Sequence, residues 1–385
     1  MAAGLSLAWL QLSQQKPRLL VAILGVAFAV LLVSMQLGFR ASIYDSAVRL
    51  HRAMIYDLVL VSPKTPFIGF PESFSRRRLY QALAAEGVQA VAPVYLRQDY
   101  WKNPWTYESR NLLVLGFDPG RDVFRLPEIR DRVPLLTLPD VALFDADSRP
   151  EFGPVAQHLA AGETVRAEVG NRNIEVVAPF HLGTSFGIDG TLITSDLNYQ
   201  RIFPDRSPGH IELGLIQLRP GTAPGQVRDR LRRALEPDVL VLTRDEFIAR
   251  ETRYWASATP IGYVFGFGAI MGLVVGCVVV YQILYADVSE HLAEYATLKA
   301  VGYRNRDLAL MVLKQAGMLA LLGFVPGILA AVALYDLMAE ATRLPLAMTW
   351  GRFAAVLTLT LAMCAVSGLM ALRRVSAADP AEVFG

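Results

Sequence analysis

The chain has 385 residues, 53% of them hydrophobic and 19% charged, with a formal net charge of +2. So apolar a composition, gathered into runs, excludes a single water-soluble globule; the net charge says nothing about nucleic acid, and no basic stripe interleaved with aromatics points to it. Both cysteines, Cys277 and Cys364, sit inside apolar runs, which excludes a disulfide-dense secreted module and cysteine-based zinc motifs.

Residues 1–18 place Leu5, Ala8, Trp9 and Leu12 on one side at helical spacing, the pattern of an interfacial amphipathic helix at the cytoplasmic surface. Residues 19–39 form the first span. No small-residue cleavage site follows before Arg40, so a cleaved signal peptide is the weaker alternative. Residues 40–258 are mixed and polar and predict an α+β periplasmic domain. Two strand–helix–strand units flank it: 57–63, 73–87 and the following VQAVAPVYL, then 211–221, 224–235 and 238–243. Between them TVRAEV, a Gly170-Asn171 turn and RNIEVVAPF read as a hairpin. The two flanking units are expected to pack as one sheet-and-helix layer with the middle inserted. Residues 41–54 read as a helical continuation of the first span, and 244–258 as a helix running straight into the second, together a stalk.

A bilayer core takes about 20 apolar residues of helix. Residues 259–286 supply that as the second span. The chain then turns polar, DVSEHLAEYATLKAVGYRNRD, and 287–307 predict a short amphipathic helix beside the membrane, with Val288, Leu292, Tyr295 and Leu298 on one face and Asp287, Glu290 and Glu294 on another. Residues 308–339, with Pro326 inside, form the third span, 353–372 the fourth, and 373–385 a tail. The lysines and arginines at 16, 18, 299, 304, 306, 373 and 374 fall on one side of this four-span layout, which puts both termini in the cytoplasm and the large domain outside an inner (plasma) membrane.

Small residues four apart occur on the second span at Gly262 and Gly266, then at Gly268, Gly272 and Gly276. Such a face lets helix backbones approach closely, either against the chain's own spans or across a homodimer. Gly183-Thr184-Ser185-Phe186-Gly187 matches the G-x-S-x-G elbow, but the GIDGTLITSD that follows cannot start the helix an elbow requires, so no catalytic residue is assigned. The five histidines are scattered without metal spacing, and no metal site is expected. No G-x-x-x-x-G-K-[ST] occurs, so this chain is not itself an ATPase and needs no cofactor; ATP would be bound by a partner subunit. No charged residue lies near the middle of the first, second or fourth span, which argues against an ion-driven transporter.

The run EYATLKAVGYRNRDL resembles the coupling segment of FtsX/MacB-type ABC transporter permeases, in which a Glu precedes an apolar stretch ending Lys-Ala-x-Gly; here these are Glu294, Lys299, Ala300 and Gly302. The opening AWLQLSQQKPRLLVAILGVAFAVLLVSMQLGFR and the words DSAVRL, RRLYQAL, SRPEFGP and ADPAEVF are similar to the DevC-type branch, the permeases of heterocyst glycolipid exporters. The resemblance implies four transmembrane helices with a large α+β periplasmic domain between the first and second, and a homodimer. It also implies a separate ABC ATPase docked at Asp287, Glu290, Glu294, Tyr295, Lys299, Ala300 and Gly302. A periplasmic membrane-fusion adaptor, a TolC-like outer-membrane channel, mechanotransmission and a glycolipid or other amphiphilic cargo follow from it too. The rival expectation is an FtsX-like regulator of a periplasmic cell-wall hydrolase. A membrane protein without an ATPase would leave the amphipathic connector unexplained.

Overall fold

The computed structural model of the protein describes residues 16–291, 294, 297 and 301–377, with the backbone alone at 305 and 373–377. The expected interfacial helix, the end of the tail, and Leu292, Tyr295, Leu298, Lys299 and Ala300 lie outside the described residues. Two compact units emerge. One holds the long apolar helices; the other comprises Ser42–Thr259 with Glu340–Pro345.

Helix α1 runs unbroken over Lys16–Ala47. A short α2, Arg49–Ala53, follows across Val48, so the first span does continue helically as far as residue 53. Next come β1 (Leu58–Val61), β2 (Phe74–Ser75), α3 (Arg77–Leu83), β3 (Val88–Lys102), β4 (Ser109–Phe117), α4 (Pro127–Arg130) and β5 (Val141–Asp145). Then follow α5 (Val155–Ala160), β6 (Val165–Val169), β7 (Arg172–Phe180), β8 (Thr191–Ser195) and α6 (Asp196–Ile202). The domain closes with β9 (His210–Ile211), β10 (Leu213–Leu218), α7 (Pro224–Ala234), β11 (Leu240–Thr243) and α8 (Arg244–Arg253).

The main sheet has nine strands in the order β11-β1-β10-β3-β4-β8-β5-β7-β6. The two flanking strand–helix–strand units interleave at one end of it, β1 between β10 and β11, and β10 between β1 and β3. All four residues of β1 are buried, so it reads as a continuous apolar run rather than an alternating one. α3 and α7 cover one face through Leu79, Ala82, Val227 and Leu231, while Met54 and Phe247 close the other. The inserted strands curl until β6 meets the far end of β3, Trp101 opposite Val169, which closes a ring of six. β3 belongs to both lobes: Val88–Val94 pair with β10 and Val94–Lys102 with β4. The sequence reading ended this strand at Leu96, because the polar residues from Arg97 to Tyr100 break the apolar run even though they pair with β4, the next strand in the chain.

The predicted hairpin is β6 and β7, and its turn residues Gly170 and Asn171 have φ of 58° and 61°. Two successive positive φ values are what the tightest hairpin turn requires, and glycine and asparagine tolerate them best.

One expectation is corrected. The helix over 244–258 does not run straight into the second span. α8 starts from a capping box, Thr243 with Glu246, and passes at Tyr254–Ala258 into a π-turn; Thr259 is then extended, at φ −115° and ψ 148°. Pro260 is the cause, since its ring disfavours helical backbone at the preceding residue. A fresh helix, α9, starts at Pro260 and runs to Glu290, so residues 287–290 continue the helix of the second span. α10 covers Asn305–Thr342, passing through Pro326, and α11 Trp350–Ala377. With α1 these make, among the described residues, four helices long and apolar enough to cross a membrane. Their shared core includes Val26 and Val30 of α1, Val280 and Leu284 of α9, Leu319 and Phe324 of α10, and Met363 and Cys364 of α11.

Candidate functional site: the connector after the second span

The end of α9 is built into its own bundle. Val288 is fully buried against Leu308 and Val312 of α10 and Leu372 of α11. One turn round the helix, Asp287 faces His291, with Nδ1 and Oδ1 3.7 Å apart, and its carboxylate is also hydrogen-bonded by the side chain of Gln315. Glu290 takes a third direction. Both of its oxygens accept from the guanidinium of Arg18 on α1, at 2.5 and 2.8 Å. This fork-to-fork geometry fixes direction as well as distance. Three residues within one turn of this helix therefore engage all three other membrane helices.

Of the acidic face read from the sequence, Glu290 is exposed but paired with Arg18, and Asp287 is largely covered. Glu294 is helical and exposed. The connector's helix closes where the Val301 amide donates to the Thr297 carbonyl, and Gly302 follows at φ 104°, a conformation glycine adopts at no steric cost. α10 begins where the Arg304 amide donates to a carboxylate oxygen of Asp307. Arg18 was read from the sequence only as an orientation signal; nothing in its local pattern points to a partner so distant in the chain.

The glycine face divides. A side chain added at Gly268 would collide with Gln36, one at Gly272 would press on Val33 and Leu32, and one at Gly276 would strike Met363 and Ala29. These three glycines therefore line a seam between α9, α1 and α11 within one chain. At Gly266 an added carbon meets nothing within 4 Å. The Ser367 hydroxyl, donating to the Cys277 carbonyl at 2.9 Å, adds a polar link to the same seam. A second close approach escaped the sequence reading: Gly323 and Gly327 on α10, also four apart, lie against Val26, Ala27 and Val30 of α1. The same small-residue spacing could have found it.

The G-x-S-x-G stretch is a structural loop. Burial raises the Asp145 carboxyl to about 6, against the pull of amides that donate to it, among them Leu182 and Gly183. Ser185 bridges to Ile188, and no helix follows. Four of the five histidines have separate acidic neighbours: His158 with Glu163, His181 with Asp147, His51 beside Glu251, and His291 as above.

The chain is similar to known proteins. Residues 19–234 match the MacB-like periplasmic core domain, and residues 266–380 the FtsX-like permease C-terminal family. An uncharacterized ABC transporter permease of Mycobacterium bovis is 25% identical over 380 residues, 96% of each chain. The macrolide export ATP-binding/permease protein MacB of Bradyrhizobium diazoefficiens is 32% identical over 103 residues, 27% of this chain and 15% of that one. The periplasmic region of MacB from Actinobacillus actinomycetemcomitans superposes with a TM-score of 0.34 and 10% identity, over 51% of this chain and 92% of that one. The MacB-like model alone covers more than half of the 385 residues. The chain belongs to the MacB/FtsX family of ABC transporter permeases, a multi-pass membrane protein with an α+β MacB-like periplasmic domain between its first and second spans.

Proposed function

We propose that this permease is the membrane subunit of an ATP-driven exporter of the DevC type. Two copies each dock a separate ABC ATPase on the connector at residues 287–302, with both termini on the same, cytoplasmic, side. The observation that carries this is the anchoring of the connector's first turn: Val288, Asp287 and Glu290 tie it to α10, α11 and α1 at once. A push on the exposed turn at Glu294 is then felt by the whole bundle, as mechanotransmission demands. Residues 183–187, which carry the only nucleophile motif weighed in the sequence, support no catalytic role. A periplasmic adaptor and a TolC-like channel complete the path, and the cargo is a glycolipid or another amphiphile.

The test is recovery of the full-length protein from its native membrane with identification of what accompanies it. An ABC ATPase together with a membrane-fusion adaptor is the expected result. An ATPase with a cell-wall hydrolase would replace export by regulation, and the absence of any ATPase would overturn the assignment of the connector.

A further inference from the structure

Five aromatic side chains from three separate segments meet on one face of the periplasmic domain. Phe67 stacks on Tyr254, with centroids 4.8 Å apart, and meets Trp255 edge-on at 5.2 Å. Phe70 leans on Phe67 at 5.4 Å, and Phe186 on Trp255 at 5.8 Å. The inner rings are covered, Trp255 being 5% and Phe67 8% exposed, whereas Phe70 and Phe186 stand 60% and 45% exposed. Large rings left bare on a braced base mark a contact surface, since isolated surface aromatics need no such backing.

The base is held from within. Glu251, 2% exposed, accepts from the Ile68 amide through Oε2 at 3.1 Å and from the Trp255 indole through Oε1 at 3.3 Å. One carboxyl group thus fixes both the loop that carries Phe67 and Phe70 and the π-turn that carries Tyr254 and Trp255. The third segment is locked by Gly187, where an added carbon would lie 2.9 Å from Phe67 and 3.0 Å from Trp255.

Chain connectivity limits what this face can meet. Trp255 is five residues before Pro260, the first residue of a membrane helix, a reach of at most ~18 Å even if fully extended, and the π-turn shortens it. The loop of Phe186 is tied to the connector between the third and fourth spans, because Thr184 Oγ1 donates to the Arg343 carbonyl at 3.1 Å. Arg343 directly follows the end of α10 at Thr342. Both exposed rings therefore rest against a segment that enters an apolar span within a few residues, Phe186 directly against Trp255 and Phe70 through Phe67. Aromatic rings at that level favour the boundary between headgroups and acyl chains.

We propose that this face is a lipid-contact surface, with Phe70 and Phe186 seated in the headgroup–acyl boundary of the bilayer. The periplasmic domain then rests on the membrane through rings held in place by Glu251, whatever the exporter carries. This contact is independent of the ATPase and of the cargo.

The experiment uses the full-length protein in phosphatidylcholine–phosphatidylglycerol nanodiscs, with Cys277→Ala and Cys364→Ala as background. A nitroxide is attached in turn at Phe70→Cys, Phe186→Cys and, as a water-exposed reference, Glu236→Cys. Collision rates with oxygen, which partitions into lipid, and with a neutral nickel chelate, which stays in water, give a ratio for each site. The expected result is a ratio several-fold higher at 70 and 186 than at 236. Equal ratios at all three sites would place the rings in water and overturn the proposal. Shielding of 70 and 186 from both reagents would overturn it equally, because a protein partner or a second copy would then cover the face.

Discussion

Arg18 and Glu290 lie 272 positions apart and meet through two parallel hydrogen bonds at the mouth of the helical bundle. Their side chains are 37% and 45% exposed, so solvent screening leaves the pair little weight in stability. Its effect is directional. Glu290→Arg sets two cations against each other and should weaken ATPase stimulation while insertion and melting temperature stay unchanged. Adding Arg18→Glu restores the pair in reverse and should recover the stimulation. Stimulated ATP hydrolysis by the reconstituted complex is the measurement, and failure of the reversed pair to recover would mean that Glu290 acts on the ATPase directly.

Glu294→Lys probes the other side of the same turn. It is exposed and helical, and reversing its charge should reduce stimulated hydrolysis without altering the recovery of folded permease. Unchanged hydrolysis would remove Glu294 from the docking surface.

The glycine seam predicts a position-dependent penalty. Gly272→Leu and Gly276→Leu overfill contacts with Val33, Ala29 and Met363, and each should cost about 1–3 kcal/mol. Gly266→Leu fills open space and should leave the single chain intact. Thermal unfolding in detergent separates them. If Gly266→Leu alone lowers dimer recovery, the dimer seam lies there rather than at Gly272.

His51 and Glu251 make the pH response of the periplasmic domain testable. Burial pushes the Glu251 carboxyl from 4.5 up to about 7, against hydrogen bonds from Ile68 and Trp255, and pushes the His51 imidazole from 6.5 down to about 3. Between pH 4.5 and 7 native Glu251 keeps a proton that the unfolded chain has lost, so its contribution to stability falls as pH rises. Between pH 3 and 6.5 native His51 refuses a proton that the unfolded chain takes up, so its contribution falls as pH drops. From 4.5 to 6.5 the two slopes oppose and offset each other. Glu251→Gln removes one of them, and its stability relative to the parent should rise with pH by on the order of 3 kcal/mol across that window. Melting curves of parent and variant from pH 4.5 to 7 provide the comparison; a constant difference would mean that Glu251 is ionised in the fold.

Asn198 is 1% exposed and serves as a hub for the inserted lobe. Its Nδ2 lies within hydrogen-bonding distance of the carbonyls of Leu136, Leu138 and Val141, while Oδ1 accepts from the Asp140 amide and from Arg201. Asn198→Ala strands several of these buried groups, and a loss of about 3 kcal/mol in denaturant unfolding is expected.

Local chemistry made parts of this legible in advance. The spans announced themselves by length and hydropathy, and the Gly170-Asn171 turn by its demand for positive φ. The flanking units of the periplasmic domain were legible because helix and strand periodicities alternate there over short distances. Pro260 carried the signal that breaks the second stalk helix at Thr259, and it was missed because a long helical run of residues outweighed one residue's constraint. Arg18 with Glu290, β3 with β6, and Asn198 with three carbonyls were not legible for a different reason. Each is a meeting of residues whose own neighbourhoods look ordinary, and only the topology brings them together.

The strand Val88–Lys102 gives the periplasmic domain an uncommon grammar. Inserted lobes usually hang from a host by a pair of linkers that a protease can sever or a gene fusion can replace. Here Val94 pairs with Leu213 in the host layer and with Phe117 in the inserted ring, so one residue is a rung in both ladders. There is no neck at this crossing. A cut between Tyr95 and Leu96 would not free a lobe; it would open both cores at once, and neither half could be traded between relatives without rewriting the other.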